Sequence, residues 1–246
     1  MGKSKKDSTS SRSATKFKRK FKRLAKLVLL YLVVAAICVT GIWLTVVLYD
    51  RYKGAEVSLP AAPTTQSQVQ SSVNSIDAVN TLQAIPMPSF VSAQFIDIGT
   101  ARTGAKLQDF NAIVIHFTGE PGMNASERRA YYIDPNSSIS THFVVGLDGK
   151  TLMCLPINEQ ANASGLKNAD TISIEYCHTS YDGLMNKDTY NALVELCATI
   201  LKGTGKGTDC LLRHYDINSA AECPPYYISH SDAWNKFKSD VEQKIK

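Results

Sequence analysis

The chain has 246 residues, a formal net charge of +5 and 44% hydrophobic residues, which is enough for one or two domains with a full core. The positive charge lies in residues 1–26, which hold eleven Lys and Arg residues and one acid, so this tail carries +10 and the remainder −5. The basic balance therefore gives no support for a folded nucleic-acid-binding domain, although a basic tail alone could bind nucleic acid.

An uncharged run of 23 residues follows the basic tail and decides how the tail is interpreted. As a helix, residues 27–49 would be about 34 Å long at roughly 1.5 Å per residue, enough to cross a hydrocarbon core of about 30 Å. The run is longer than the apolar core of a cleavable signal peptide. We predict a single-pass signal anchor in the cell membrane, with residues 1–26 in the cytoplasm, the remainder outside, and no nucleic-acid partner.

The composition changes again after the predicted membrane span. Residues 50–85 are rich in Ser, Thr, Gln, Pro and Ala and have little apolar periodicity, so they cannot bury a core. We predict a flexible extracytoplasmic linker here, followed by one folded domain over residues 86–246.

Strand and helix patterns alternate through the predicted domain. Strands are predicted at residues 111–117, 140–147, 150–156, 171–177 and 210–214, the second and third joined in a hairpin by the turn Asp148-Gly149. Helices are predicted after the N-cap Asn124, over 187–202 with an end at Gly203, and over 230–245. This order predicts an α/β domain with a single mixed β-sheet flanked by helices.

Two of the five histidines end predicted strands, where side chains can converge at one edge of a sheet. They are His116 and His214, and Cys223 follows nine residues after the second. Two imidazoles and a thiolate suit Zn²⁺, and three protein ligands leave a fourth position for water, as in catalytic zinc sites. Spacing alone is a weak signal, because no His-Glu-x-x-His or paired Cys-x-x-Cys motif is present. On this evidence alone, the three could equally be ordinary core or surface residues.

Four local sequences strengthen the case for a metal site. In chain order they are IVIHFTGEPG (113–122), STHFVVGLDGK (140–150), TISIEYC (171–177) and RHYDINSAAECPPYY (213–227). Together they make residues 86–246 resemble the type-2 N-acetylmuramoyl-L-alanine amidase family, whose fold is shared with peptidoglycan recognition proteins. The last motif is most similar to the versions found in Gram-positive Firmicutes.

The resemblance implies specific roles for four residues. The family's zinc ligands are the histidine of the first motif, the histidine before x-Asp, and an Asp or Cys before Pro, which correspond to His116, His214 and Cys223. The family's active-site acid corresponds to Glu175. The resemblance thus implies a Zn²⁺-dependent hydrolase that cleaves the amide between N-acetylmuramic acid and L-alanine in peptidoglycan, with Glu175 as general base and then acid. We expect the domain to act as a monomer.

The residues around this set leave alternatives open. Glu175 stands in the middle of an apolar strand, where a carboxylate needs a partner, and a salt bridge with Arg213 would also explain it. Some relatives carry a Lys at position 221 and others a Tyr at 141, where this chain has Ala221 and Thr141. The group that stabilises the oxyanion is therefore open.

Three further side chains are candidates for roles near the predicted metal. His142 and His178 could stabilise the oxyanion, or each could have an ordinary structural role. Asp216 follows His214 by two residues and could orient a ligand or its loop. The alternative is that it is a solvated turn residue.

Two rival functions are also compatible with the sequence. One is a non-catalytic peptidoglycan-binding module on the same fold, and the other is a cysteine hydrolase using Cys177 or Cys223 with a nearby histidine. Assigning Cys223 to zinc leaves Cys154, Cys177, Cys197 and Cys210 outside the span, and the sequence cannot choose among their three possible pairings or exclude that none forms.

Overall fold

The computed structural model describes residues 76–246 and, outside that range, the single residues Lys26 and Tyr31. Apart from those two residues, the predicted tail (1–26), the predicted membrane span (27–49) and the predicted linker up to residue 75 lie outside the described residues. Within the described part, the structure has no helix that is both long and apolar enough to cross a membrane.

Six strands of the described region form one mixed sheet in the order β1-β4-β3-β5-β2-β6. They are β1 (Val91–Ala93), β2 (Ala112–Phe117), β3 (Phe143–Val145), β4 (Thr151–Met153), β5 (Thr171–Tyr176) and β6 (Leu211–Arg213). Strand β2 lies between β5 and β6 and is parallel to both. Strands β3 and β4 form the antiparallel hairpin that the turn at Asp148-Gly149 predicts. The two central strands, β2 and β5, are almost entirely buried because helices or loops cover both faces.

Helices flank this sheet on both sides. They are α1 (residues 76–84), α2 (Ala125–Ile133), α3 (Lys187–Thr204), α4 (His214–Ile217), α5 (Pro225–Ser229) and α6 (Ser231–Ile245). Helices α3 and α6 pack together over one face, where Ile115, Ile174, Leu193 and Phe237 belong to the main core. Helix α2 packs over β3 and β4 on the other face, where Tyr132 and Val144 belong to a smaller core. The predicted α/β fold with a helix-flanked mixed sheet is confirmed.

The start of α2 is fixed by the predicted N-cap. The Asn124 side chain accepts a hydrogen bond from the Glu127 backbone N–H at 3.0 Å, and the Glu127 carboxylate accepts one from the Asn124 N–H at 2.8 Å. This reciprocal pair satisfies two backbone donors that the first turn of a helix leaves free. Because the start is fixed, the side chains that α2 turns toward the sheet are fixed as well.

Side chains alternate between the two faces along β2 and β5, as the period of a strand requires. Ile172, Ile174 and Tyr176 join the main core on the α3 side. The intervening residues on β5, and those paired with them on β2, therefore face the α2 side. It is on this second face that the candidate site lies.

Two differences from the sequence predictions concern where helices begin and end. Residues 76–84 are helical rather than part of a linker, and Leu82 is fully buried in the main core, so packed structure begins before residue 86. Helix α3 runs through Gly203 to Thr204 and is capped by Gly205, whose φ of 67° favours glycine. Gly203 instead allows close packing, because a Cβ there would lie 2.7 Å from the Ile85 side chain.

Candidate active site

Three side chains that could bind a metal meet beside the sheet on its α2 face. His116 lies near the end of β2, and His214 follows directly after β6, the parallel neighbour of β2. Cys223 comes from the loop between α4 and α5. One nitrogen of each imidazole and the Cys223 sulfur all lie within 4.8 Å of one another. The structure thus brings together the three residues that the sequence predicts as ligands.

The donor set fits a zinc ion. Tetrahedral zinc with Zn–N of about 2.0–2.1 Å and Zn–S of about 2.3 Å needs neighbouring donors roughly 3.3–3.7 Å apart. The His116 Nδ1 and Cys223 Sγ atoms are 3.9 Å apart, and the two imidazole centroids are 4.6 Å apart. Small side-chain adjustments would therefore suffice to hold the ion, and nitrogen and sulfur donors are the ones that zinc prefers.

Burial sets the protonation of these ligands in the metal-free chain. It lowers the pKa of His116 to about 3, with the adjacent His214 adding to the shift, and it also lowers the pKa of His214. Both imidazoles are therefore neutral near pH 7, as metal ligands must be. Burial raises the pKa of the Cys223 thiol to about 12, although the Phe117 backbone N–H acts in the opposite direction. Binding a metal here must therefore release the thiol proton.

The second nitrogen of His116 contacts a pair of buried serines. Its Nε2 lies 3.4 Å from the Ser164 hydroxyl, which is 3.0 Å from the Ser173 hydroxyl. With Nδ1 directed at His214 and Cys223, a proton on Nε2 would be donated toward Ser164. Hydrogen bonds of this kind fix the tautomer and orientation of a metal-binding histidine.

Glu175 lies on β5 directly opposite His116 on β2, and its side chain is buried. Its carboxylate accepts two hydrogen bonds from the Arg128 guanidinium, Nε to Oε2 at 2.5 Å and Nη2 to Oε1 at 2.7 Å. The Tyr132 hydroxyl also donates to Oε2. Glu175 therefore forms a salt bridge, as one of the alternatives predicts, but its partner is Arg128 on α2 and not Arg213.

These two partners remain in the protonation states that allow them to donate. Burial opposes the charged form of Arg128, but hydrogen bonds and attraction from Glu175 outweigh it and raise the pKa of Arg128 above its ordinary value. Burial, reinforced by the charge of Glu175, raises the pKa of Tyr132 well above its ordinary value. Arg128 therefore stays a cation, and Tyr132 stays a neutral phenol with a proton to donate.

The metal-binding set and the carboxylate open into a common cleft of about 340 Å³. Its walls include Arg128 from α2, Ile139 from the loop before β3, and Asn162 and Gly165 from the loop before β5. A larger cleft of about 870 Å³ lies along β1 and the start of α2, but none of the candidate ligands lines it. The smaller cleft is therefore the candidate active site.

Asp216 and Arg213 act together at the turn that carries His214. Arg213 donates to the Asp216 carboxylate from its guanidinium at 2.6 Å and from its backbone N–H at 2.8 Å. Its guanidinium also donates to the Tyr227 carbonyl at 2.8 Å. Asp216 thus fixes the loop around His214, which is one of the two possibilities that its position in the sequence allows.

The two histidines that are candidates for stabilising the oxyanion lie outside the cleft. His142 is fully buried, with Nε2 2.7 Å from the Glu159 carbonyl and Nδ1 accepting from the Ser173 N–H at 3.0 Å. Both ring nitrogens are therefore bonded to backbone groups. His178 packs against Phe117 with tilted rings and 5.1 Å between their centroids, and its Nδ1 contacts the Ser180 carbonyl. Neither is placed to contact a substrate in the cleft.

The five cysteines in the described region are free. Cys177 is buried in the smaller core, and burial raises the pKa of its thiol to about 12. A buried, protonated thiol is a poor nucleophile. This argues against a cysteine hydrolase that uses Cys177.

The sequence gives no direct indication of Arg128, Tyr132 or Ser164. The four-residue spacing of the first two, behind a clear N-cap, places them on one helix face, but nothing local shows that this face meets Glu175. Ser164 lies in a loop whose course depends on the whole fold. The sequence therefore predicts only those site residues that lie at strand ends or in the four motifs.

Comparison with known proteins identifies the family. Residues 106–240, more than half of the chain, match the N-acetylmuramoyl-L-alanine amidase (Amidase_2) family. The chain is 30% identical over 162 residues to the N-acetylmuramoyl-L-alanine amidase CwlL of Bacillus licheniformis, a match covering 58% of this chain and 44% of that protein. It is 29% identical over 168 residues to the amidase BlyA of Bacillus subtilis (strain 168), with the same coverage. The chain thus spans less than half of the length of these curated relatives.

Solved structures agree on the fold. The catalytic domain of XlyA superimposes with a TM-score of 0.53 at 24% identity, covering 61% of this chain and 98% of that one. A mutant endolysin from Bacillus subtilis gives the same TM-score at 25% identity, covering 61% of this chain and 97% of that one. The resemblance read from the four motifs is confirmed, and this chain belongs to the type-2 N-acetylmuramoyl-L-alanine amidase family.

Proposed function

We propose that this protein is a zinc-dependent amidase that hydrolyses the bond between N-acetylmuramic acid and L-alanine in peptidoglycan. The observation that carries the proposal is the meeting of His116, His214 and Cys223 within 4.8 Å, with Glu175 in the same cleft. Two neutral imidazoles and one ionisable thiol form a three-ligand set of the catalytic type. Family membership supports the same activity, and the relatives CwlL and BlyA are named for it.

The chemistry divides between the metal and the chain. Bound zinc would supply Lewis acidity for the amide carbonyl and lower the pKa of a water to about 7. The chain's own contribution is Glu175, whose carboxylate takes a proton from the attacking water and returns one to the departing amine of L-alanine. Ser164 orients His116, and the Arg213–Asp216 pair holds the loop at His214.

The open shape of the site suits a polymer in which a peptide branches from a sugar chain. The cleft is an open groove about 340 Å³ in volume, so it can hold the atoms around one amide bond while the sugar chain and the peptide extend into solvent. The exposed side chain of Ile139 lines this groove and offers apolar surface to the substrate.

We further propose that the domain acts at the outer face of the cell membrane, as a monomer. Residues 27–49 would anchor the chain, and residues 1–26, with eleven Lys and Arg, would bind anionic inner-leaflet lipid. Residues 50–75 would link the anchor to α1, with a reach of about 90 Å if fully extended. The substrate would then be wall material near the cell's own membrane.

The decisive experiment uses the full chain, purified in mild detergent and loaded with zinc, on purified cell wall. We expect new N-terminal alanine without new reducing sugar ends, loss of activity with a chelator and recovery with Zn²⁺. Glu175→Gln should abolish release, whereas Glu195→Gln, at a half-buried position on α3 away from the cleft, should not. Wall binding without release by the zinc-loaded wild type would instead indicate a non-catalytic peptidoglycan-binding module.

A further inference from the structure

The carboxylate of Glu175 is held from the side by two residues one turn apart on α2. Arg128 and Tyr132 are four residues apart, so their side chains leave the helix on the same face. Arg128 binds both carboxylate oxygens, and Tyr132 donates to Oε2. Arg128 also lines the cleft, whereas Tyr132 is 1% exposed beneath it.

The two partners are themselves held in place. The Arg128 guanidinium lies 4.9 Å from the Tyr131 ring centroid and 5.2 Å from that of Tyr132, distances that favour a cation over an aromatic face. The Tyr132 oxygen is 2.7 Å from the Thr141 hydroxyl oxygen, which lies 3.0 Å from the Phe143 carbonyl oxygen. A continuous set of contacts thus connects α2, β5 and the start of β3 through the Glu175 carboxylate.

The two carboxylate oxygens are not equivalent in this arrangement. Oε2 receives two hydrogen bonds, one from Arg128 and one from Tyr132, and Oε1 receives one. Each oxygen of a carboxylate has about two acceptor positions. Oε2 is therefore saturated, and Oε1 retains one open position.

We propose that Arg128 and Tyr132 are positioning residues for the amidase reaction, which hold Glu175 so that Oε1 is the oxygen that transfers the proton. This inference rests on the proposed function. In the first step a water O–H bond breaks and its proton goes to Oε1, while the water oxygen bonds to the amide carbon and the C=O π pair moves to the carbonyl oxygen. In the second step that pair re-forms the C=O bond, the C–N bond breaks with its electron pair on nitrogen, and the proton passes from Oε1 to that nitrogen. One water is consumed, and Glu175 is regenerated.

A simpler explanation is that Arg128 only neutralises a buried carboxylate, since removing one partner of a buried pair is strongly destabilising. The two explanations differ in what they predict for the rate. A purely structural pair affects folding and leaves kcat unchanged in any variant that still folds. A positioning pair affects kcat, because a carboxylate misplaced by about 1 Å can cost on the order of 100-fold in rate.

Three variants of the full chain, in detergent and loaded with zinc, separate these explanations. Tyr132→Phe removes one hydrogen bond to Oε2 with almost no change in volume, and Arg128→Lys keeps the charge but loses the two-point contact. Arg129→Ala is the matched control, because Arg129 is the next residue on α2 and donates to the backbone carbonyls of Gln94 and Phe95. The measurements are kcat and KM on a soluble muramoyl peptide, zinc content per chain and the midpoint of thermal unfolding.

We expect kcat to fall about tenfold in Tyr132→Phe and on the order of 100-fold in Arg128→Lys, with KM and zinc content unchanged, and Arg129→Ala to match the wild type. Arg128→Ala should be inactive and regain activity with added methylguanidinium, whereas Glu175→Gln should not respond. If Tyr132→Phe and Arg128→Lys fold, bind zinc and keep the kcat of the wild type, this inference is wrong and the proposed function stands. This holds even if Arg128→Ala fails to fold. A zinc-loaded wild type that releases no alanine would overturn the proposed function, and this inference with it.

Discussion

His116 and Glu175 are directly paired residues on the neighbouring parallel strands β2 and β5. Their side chains therefore leave the sheet on the same face, and the separation of the two strands, about 4.8 Å, sets their spacing. A slip of one residue in either strand would send one of the two side chains to the opposite face. His116 and Glu175 are thus placed by backbone hydrogen bonds, and the surrounding side chains refine their orientation.

The hydroxyl of Ser164 should contribute to metal affinity. Ser164→Ala removes the group 3.4 Å from His116 Nε2 and leaves that ring less well oriented. We expect zinc affinity to fall about tenfold or more, as is usual when such a partner is lost, with little change in fold. Competition with a fluorescent chelator measures the affinity, and Ser239→Ala on the exposed side of α6 is the control. Equal affinities in the wild type and Ser164→Ala would contradict this role.

Zinc binding should depend on pH through Cys223. Its thiol, with a pKa of about 12 in the metal-free chain, must lose a proton when zinc binds, while the two histidines are already neutral. We expect the zinc association constant to rise about tenfold per pH unit between about pH 6 and 7. Titration with a competing chelator at several pH values measures this slope.

The variant Cys223→Asp provides a matched comparison, since the family also uses Asp at this position. An aspartate is already ionised above about pH 4, so binding should release no ligand proton and the slope should flatten over the same interval. If both proteins show the same slope, the proton comes from another group and the assignment to Cys223 is wrong.

Buried His142 should make the metal-free protein sensitive to acid. Burial lowers its pKa to about 4 in the folded state, against about 6.5 in the unfolded chain. As the pH falls, the unfolded state gains the proton first, so the contribution of His142 is complete above pH 6.5. It is lost progressively down to about pH 4, by about 3 kcal/mol in total.

Urea unfolding in the presence of a chelator tests this expectation. The free energy of unfolding of the wild type should decrease between pH 6.5 and 4 more steeply than that of His142→Asn, which cannot take up a proton. Parallel curves for the two proteins would show that His142 is not responsible.

Helix α1 should be part of the cooperative fold. Leu82 is fully buried in the main core, so Leu82→Ala should lower the free energy of unfolding by about 2–5 kcal/mol. Its exposed neighbour Gln83 provides the control, because Gln83→Ala removes no core contact. Equal stabilities would mean that α1 unfolds independently of the domain.

Regular patterns made much of the fold and part of the site predictable. The β-branched run with His116 near its end predicts a strand close to the observed β2. The helical spacing over residues 187–202 predicts a helix close to the observed α3. The N-cap Asn124 was correct because its signal is local, a short polar side chain followed three residues later by Glu127. The meeting of His116, His214 and Cys223 was partly predictable, because ends of neighbouring parallel strands converge.

The missed features depend on contacts between distant segments. Arg128 meets Glu175 across 47 residues of chain, and no local pattern identifies that partner. The Ser- and Gln-rich segment before α1 suggests a linker, although Ile76, Val79 and Leu82 recur every three residues. Gly203 suggests the end of α3 because a glycine is an ordinary stop signal. Its actual role is visible only when Ile85 is seen packed against it.

The attachment of α1 has a consequence for how the enzyme would be presented to its surroundings. Leu82 packs into the core on the α3 side of the sheet, whereas His116 and Glu175 face the α2 side. The point where the chain enters the domain and the opening of the cleft thus lie on opposite faces of the same sheet. A ligand that enters the cleft therefore approaches the domain from the face opposite α1.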